Sequence, residues 1–173
     1  MLYLLRHLVS LAILPGTALV LVPVWVARRY NIRAEWPDSI VEWLLVCAGI
    51  VVATPGVILF AASLQQFFTK GEGTLAPWDP PRQLVVTGPY RYVRNPMISG
   101  VIFMLAGLAL LLGSTPHAAW AATFVLLNAA YIPLLEEPDL AMRFGSDYAE
   151  YRKHVRRFVP RLTPWMPERG VNP

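Results

Sequence analysis

This chain has almost nothing with which to hold a metal or close a disulfide, since its 173 residues include one cysteine and three histidines. A lone Cys47 excludes an intrachain disulfide and any thiolate cluster for zinc or iron–sulfur. It lies in an apolar run between Val46 and Ala48, and Glu42, the nearest ionisable group, would raise a thiol pKa rather than lower it, so Cys47 reads as a packing residue. His7 and His117 stand at the ends of apolar runs without ligand partners, and no metal site is expected. Charge is also scarce, at 15% of residues against 55% hydrophobic. Soluble domains carry about 25% charged residues, so an ordinary water-soluble globule is excluded. Nor is there an aromatic-interleaved basic stripe of the kind that binds nucleic acid, and the net charge of +4 is accounted for by basic residues flanking membrane spans.

What the chain has instead is long apolar runs. They cover 2–27, 43–68, 97–112 and 117–135, with the charged clusters between them. A bilayer core takes about 20 apolar residues of helix. The expected architecture is a single membrane domain over 1–173, all-α, with about four transmembrane helices, the third and fourth forming a tight hairpin through Gly113, Ser114, Thr115 and Pro116. The third run, at 16 residues, is short for a full crossing. Arg6 and His7 precede the first run as in a signal peptide, but it extends to Ala27 and ends in Arg28 and Arg29, so it reads as a retained span.

Four spans put the N-terminus, the loop 69–96 and the tail 136–173 on one side, with twelve of the lysines and arginines against three on the other. Basic residues gather on the cytoplasmic side, so an integral, multi-pass membrane protein with both termini cytoplasmic is expected. Gly71 to Pro81, with its prolines and glycines, reads as an extended loop on the membrane or over a site. Beyond Pro138, apolar residues recur at Leu140, Phe144, Tyr148, Tyr151, Val155 and Phe158, one face of an amphipathic cytoplasmic helix that Pro160 stops. Arg143, Asp147, Glu150, Lys153, His154 and Arg157 fall on the other face.

Two polar clusters lie where hydrocarbon gives way to water. G-P-Y-R-Y-V-R-N-P-M-I-S-G at 88–100 opens the third run, and Glu136 and Glu137 close the fourth. Charges at that boundary cost several kcal/mol unless paired or hydrated, about 2.5–3.5 kcal/mol at full depth, which marks them as functional candidates. On a helix the two glutamates point about 100° apart, so one of them faces the bundle. Arg91 and Arg94 suit an anionic group, and Tyr90 and Tyr92 a cationic one. S-adenosylmethionine carries a carboxylate, an ammonium and a second positive centre, although a nucleotide or a phospholipid headgroup would also use the arginines.

The residues Gly88, Pro89, Tyr90, Arg94, Asn95, Pro96 and Gly100, followed after a helical hairpin by Glu136, Glu137 and Leu140, resemble the motifs of the isoprenylcysteine carboxyl methyltransferase and phospholipid methyltransferase superfamily of integral membrane enzymes. The resemblance covers about residues 71–160. It implies S-adenosylmethionine as cofactor, bound by Tyr90, Arg94, Asn95, Pro96, Met97, Gly100, Glu136 and Glu137, and a lipidic acceptor entering from the bilayer. Asn95 stands where the prenylcysteine branch has histidine, and Ile98 where most members have tyrosine. That favours an amine headgroup over a prenylcysteine-like carboxylate and leaves one cofactor hydrogen bond to be replaced, with Ser99 the neighbouring hydroxyl. The competing readings are an NADPH-dependent sterol-type reductase, for which the chain is short, and a non-catalytic lipid-binding membrane protein.

Overall fold

The fold, a computed structural model, is described for residue 13, residues 15–70 with side chains through 66, and residues 83–166. The proline-rich loop 71–81, nearly all of the first half of the first span and the end of the tail lie outside these residues, as does the expectation of a loop covering a site. Among the described residues every regular element is helical.

A π-helical turn, Thr17–Leu21, runs into α1, Val22–Arg29, whose end carries Arg28 and Arg29 against the C-terminal dipole. The long helix α2 spans Ile40–Lys70. Its start is fixed by the sequence S-I-V-E: Ser39 Oγ accepts from the Glu42 amide at 3.2 Å, and Glu42 Oε2 accepts from the Asp38 amide at 2.8 Å. Two otherwise orphaned donors are thereby satisfied, in the manner of a capping box. Pro96 supplies the first residue of α3, Pro96–Leu111, where a missing N–H costs nothing. Gly113 then takes φ +52°, a left-handed turn that a side chain would strain. Ser114 caps α4, Thr115–Tyr131, by accepting from the His117 amide.

The apolar runs and the helices agree closely at α2 and α3. At the fourth run they diverge, because α4 does not stop: it continues through a π-helical turn, Ile132–Glu136, into α5, Glu137–His154. Pro133 and Pro138 lie in this stretch and each removes a backbone donor, a local cause for the wider turn. The amphipathic helix expected up to Pro160 is interrupted at Gly145 (φ 50°, ψ −122°) and ends at His154, where Val155 turns extended.

Ile40–Gln66 and Thr115–His154 are long and apolar enough to cross a membrane, whereas Pro96–Leu111 is shorter. At 1.5 Å per residue, α3 is about 24 Å long against a hydrocarbon core of about 30 Å. Large apolar side chains stay exposed along α2 (Leu44, Val51, Ile58) and α4 (Leu126). Bare apolar helix surface of this extent belongs to a protein that sits in a membrane.

The helices pack by two different devices. Between α2 and α3 the contact is made through glycines: a Cβ built on Gly56 would lie 2.8 Å from the Gly100 carbonyl oxygen, and one on Gly107 2.8 Å from that of Gly49. Gly49 and Gly56 are seven residues apart, as are Gly100 and Gly107, so an antiparallel pair meets backbone to backbone at two levels. α4 is instead tied to the first segment by side chains. His117 is buried, its Nδ1 2.7 Å from Ser114 Oγ and its Nε2 3.2 Å from the Pro23 carbonyl, while Trp120 Nε1 donates to Ala18 O at 3.0 Å. Ala18, Val101, Leu105 and Ala121 form the core between them.

Candidate functional site

The loop before α3 and the chain after α4 come together around one cavity of about 780 Å³. Its placement begins on α2. Gln66 Oε1 accepts from Thr87 Oγ1 at 2.7 Å, and the Gln66 side chain fills the space a Cβ on Gly88 would need. With φ at +56°, Gly88 starts a 3₁₀ turn, Gly88–Arg91, that carries Tyr90 inward. There burial, followed by the nearby charge of Glu136, raises the pKa of the Tyr90 hydroxyl, against a smaller opposing influence of Ser63.

The tail then clamps the loop. Arg94 N donates to Arg156 O at 2.9 Å and Asn95 N to Arg157 O at 3.3 Å; in return Arg161 N donates to Tyr92 O and Trp165 N to Arg91 O, both at 2.9 Å. Arg91 is spent here as well, its Nε donating to Trp165 O at 2.8 Å. Tyr151 closes the arrangement by donating to Tyr90 O at 2.7 Å. Beneath it Val86, Tyr148, Tyr151, Val155 and Trp165 form a second apolar core. The face read from α5 is therefore the buried one.

Of the residues expected to bind a cofactor, Tyr90, Arg94, Asn95, Met97, Glu136 and Glu137 line the cavity. Pro96 is buried at the start of α3 without lining it, and Gly100 faces α2, where its Cβ position is 2.8 Å from the Gly56 carbonyl oxygen. Gly100 is thus a helix-packing residue. Ile98, not Ser99, faces the cavity; the Ser99 hydroxyl is buried with no hydrogen-bond partner among the described residues. Arg91 and Tyr92 are absent from the lining, so Arg94 is the arginine of the pair that faces the cavity.

The adjacent glutamates have different surroundings. Glu137 is 4% exposed and receives Arg157 through both oxygens, Nε to Oε1 at 2.7 Å and Nη2 to Oε2 at 2.9 Å. Arg94 Nη1 lies 3.1 Å from Oε1 and Arg152 Nε 3.9 Å from Oε2. Burial alone would raise the Glu137 pKa, but the Arg157 hydrogen bonds and the surrounding guanidinium charges outweigh it and hold the carboxyl below its usual value. Glu136 makes no hydrogen bond or ion pair with the described residues, and its pKa is pushed up to about 7, first by burial and then by the charge of Glu137, against the pull of Arg94 and Arg157. Arg157 is the residue that sequence periodicity missed. Extending the helical face through 158 puts it outside, whereas the chain leaves the helix at Val155 and turns back.

Arg94 completes the polar end. It is 9% exposed, its Nη1 also donates to Tyr148 Oη at 3.2 Å, and its Nε is buried with no partner among the described residues. An orphaned donor on a cavity-lining guanidinium, near a carboxylate that no described side chain hydrogen-bonds, fits a ligand with a carboxylate and an ammonium. Much of the remaining wall is apolar, with Ile98, Val101, Phe124, Leu127 and Leu135, while Gln83, Asn128, Asp139 and Arg143 also line it.

A family model described as phospholipid methyltransferase matches residues 43–147. Methanethiol S-methyltransferase 2 of Bradyrhizobium diazoefficiens is 40% identical over 76 residues, which make up 42% of this chain and 27% of that protein. The chain therefore matches little more than a quarter of that relative's length. No solved structure matches.

Proposed function

Because the chain belongs to the phospholipid methyltransferase family, we propose that it transfers a methyl group from S-adenosylmethionine to a small, largely apolar acceptor at the cytoplasmic face of a membrane. The observation that carries this reading is one cavity lined both by the polar side chains of Arg94, Asn95 and Glu136 and by a set of large apolar ones.

The residues fit the cofactor by charge. Arg94 binds the carboxylate and Glu136 the ammonium, while Tyr90 and Asn95 bound the polar end and Met97 lies beside them. When bound, the cofactor supplies an electrophilic methyl group on a sulfonium. The chain's own contribution is alignment and dryness: Ile98, Val101, Phe124 and Leu127 hold an acceptor away from water, and fixed orientation alone accounts for about 7–11 kcal/mol of barrier lowering in favourable cases.

Glu136 in the lining makes an anionic acceptor unfavourable, so a neutral or amine group on a lipidic molecule suits the cavity better than a prenylcysteine-like carboxylate. The name of the Bradyrhizobium relative favours a second acceptor class, a small thiol. In the four-span arrangement proposed from the apolar runs, with both termini cytoplasmic, the polar end opens to the cytosol and the apolar wall to the bilayer.

The test is calorimetric titration of the detergent-purified protein with S-adenosylmethionine, S-adenosylhomocysteine and NADPH. Saturable binding of the two adenosyl ligands without NADPH is expected; NADPH binding would favour a reductase, and no binding by folded protein a non-catalytic lipid-binding role. Lipidic amines and short alkyl thiols are then compared as acceptors by product analysis.

A further inference from the structure

We infer that Arg157, which lies beyond the family match at 43–147, is a positioning residue for the anion-binding end of the cavity: it takes up Glu137 so that Arg94 stays available to a ligand. This rests on the methyltransferase reading above.

A carboxylate offers two oxygens, and both oxygens of Glu137 are occupied by Arg157, at 2.7 and 2.9 Å. Such paired bonds are the strongest that a guanidinium makes. Arg94 is left a single shared contact, Nη1 to Oε1 at 3.1 Å. Its Nη2 and Nε make no hydrogen bond to the described residues. Remove Arg157, and Arg94 is the nearest cation to a buried, unneutralised carboxylate; it would turn its remaining donors onto Glu137. Arg152 is no substitute, because its Nε is 3.9 Å away and its side chain 57% exposed. The uncompensated charge of Glu137 would also repel a ligand carboxylate.

Arg157 is delivered to this position by its own backbone. Its carbonyl accepts from Asn95 N at 3.3 Å, and the preceding Arg156 carbonyl from Arg94 N at 2.9 Å. The tail thus fixes both the main chain of the binding loop and the ion pairing of its arginine. Arg157 does not line the cavity, so its effect on a ligand passes through Glu137 and Arg94.

The experiment is a double-mutant cycle read as S-adenosylmethionine affinity by calorimetry, using wild type, Arg157→Gln, Glu137→Gln and the double variant, with Arg157→Lys alongside. Arg157→Gln is expected to weaken binding by about tenfold or more, and Arg157→Lys by less. In the Glu137→Gln background the same change is expected to cost little, because no buried charge then needs a partner. Equal losses in the two backgrounds, or no loss in either, would overturn the inference. Should Arg157→Gln alone fail to fold, Glu137→Gln against the double variant carries the test: equal affinities support the assignment and a tenfold difference removes it. Wild-type protein that binds no adenosyl ligand sinks the functional reading and this inference together, whereas wild-type binding with additive losses sinks the inference alone.

Discussion

Along the α2–α3 seam the chain is held by what its residues lack, whereas at the mouth of the cavity it is held by some of the largest polar side chains available. Gly49, Gly56, Gly100 and Gly107 let two backbones approach until a Cβ at any of the four would lie within 3 Å of a backbone atom. At the mouth, Arg94 and Arg157 instead converge on the single carboxylate of Glu137, at 3.1 and 2.7 Å. In a membrane there is little hydrophobic gain in bringing apolar helices together, so close packing has to supply the adhesion. At the water boundary the problem is reversed, since a buried charge is tolerable only when it is paired. The seam should therefore fail by steric overfilling and the mouth by unbalanced charge.

The largest effect is expected at the seam. Gly56→Leu places side-chain atoms where the Gly100 carbonyl and the backbone of α3 already lie, and should cost about 3 kcal/mol or more. Loss of a monodisperse peak on size exclusion in detergent is the readout. Normal folding would mean that the helices can shift apart cheaply.

Arg94→Ala should leave the fold in place, because Glu137 keeps both bonds from Arg157. Binding of S-adenosylmethionine, by contrast, should fall about a hundredfold. A helical spectrum like that of wild type with lost calorimetric heat would separate the two regions; retained affinity would remove Arg94 from the site.

The paired glutamates sharpen the comparison through pH. In the folded protein Glu136 holds its proton up to about 7, while its ordinary carboxyl value is 4.5. The folded state then binds more protons than the unfolded one between those values, so stability falls as pH rises through that window. Glu137, held below 4.5, has the opposite sign: its contribution is present above the unfolded value and is lost as pH falls through its folded value. Thermal unfolding followed from pH 4.5 to 8 should lose its downward trend in Glu136→Gln and keep it in wild type.

The smallest effect is expected where seam and mouth join. Thr87→Val removes the 2.7 Å bond to Gln66, at about 1 kcal/mol. Backbone hydrogen exchange in 87–95 should quicken while α2 and α3 stay protected; uniform quickening would mean that the loop and the seam are one cooperative unit.

These contrasts also explain how much could be read in advance. The apolar runs located α2 and α3 to within a few residues, and the spacing of Leu140, Phe144, Tyr148 and Tyr151 marked the face that α5 buries, because burial leaves a periodic trace in one stretch of sequence. The glycine pairs leave a seven-residue spacing in each helix, but its meaning depends on which helices meet. Gly100, taken from the motif as a ligand-binding residue, is explained by Gly56 on another helix. The different surroundings of Glu136 and Glu137 are decided by Arg157, twenty residues on, and by where the helix ends at His154. Local periodicity cannot foresee a chain that turns back.

That turning back also orders the molecule in time. Ribosomes issue α2, α3 and α4 well before residues 156–165, and these last residues supply the carbonyls and the guanidinium that fix Arg94. A nascent chain can therefore be inserted and helical while Arg94 still lacks the backbone acceptor and Glu137 the guanidinium that the tail brings. On the ligand-binding reading proposed above, competence arrives with residues 156–165, so quality control that monitors only membrane insertion would pass chains whose site is still unformed.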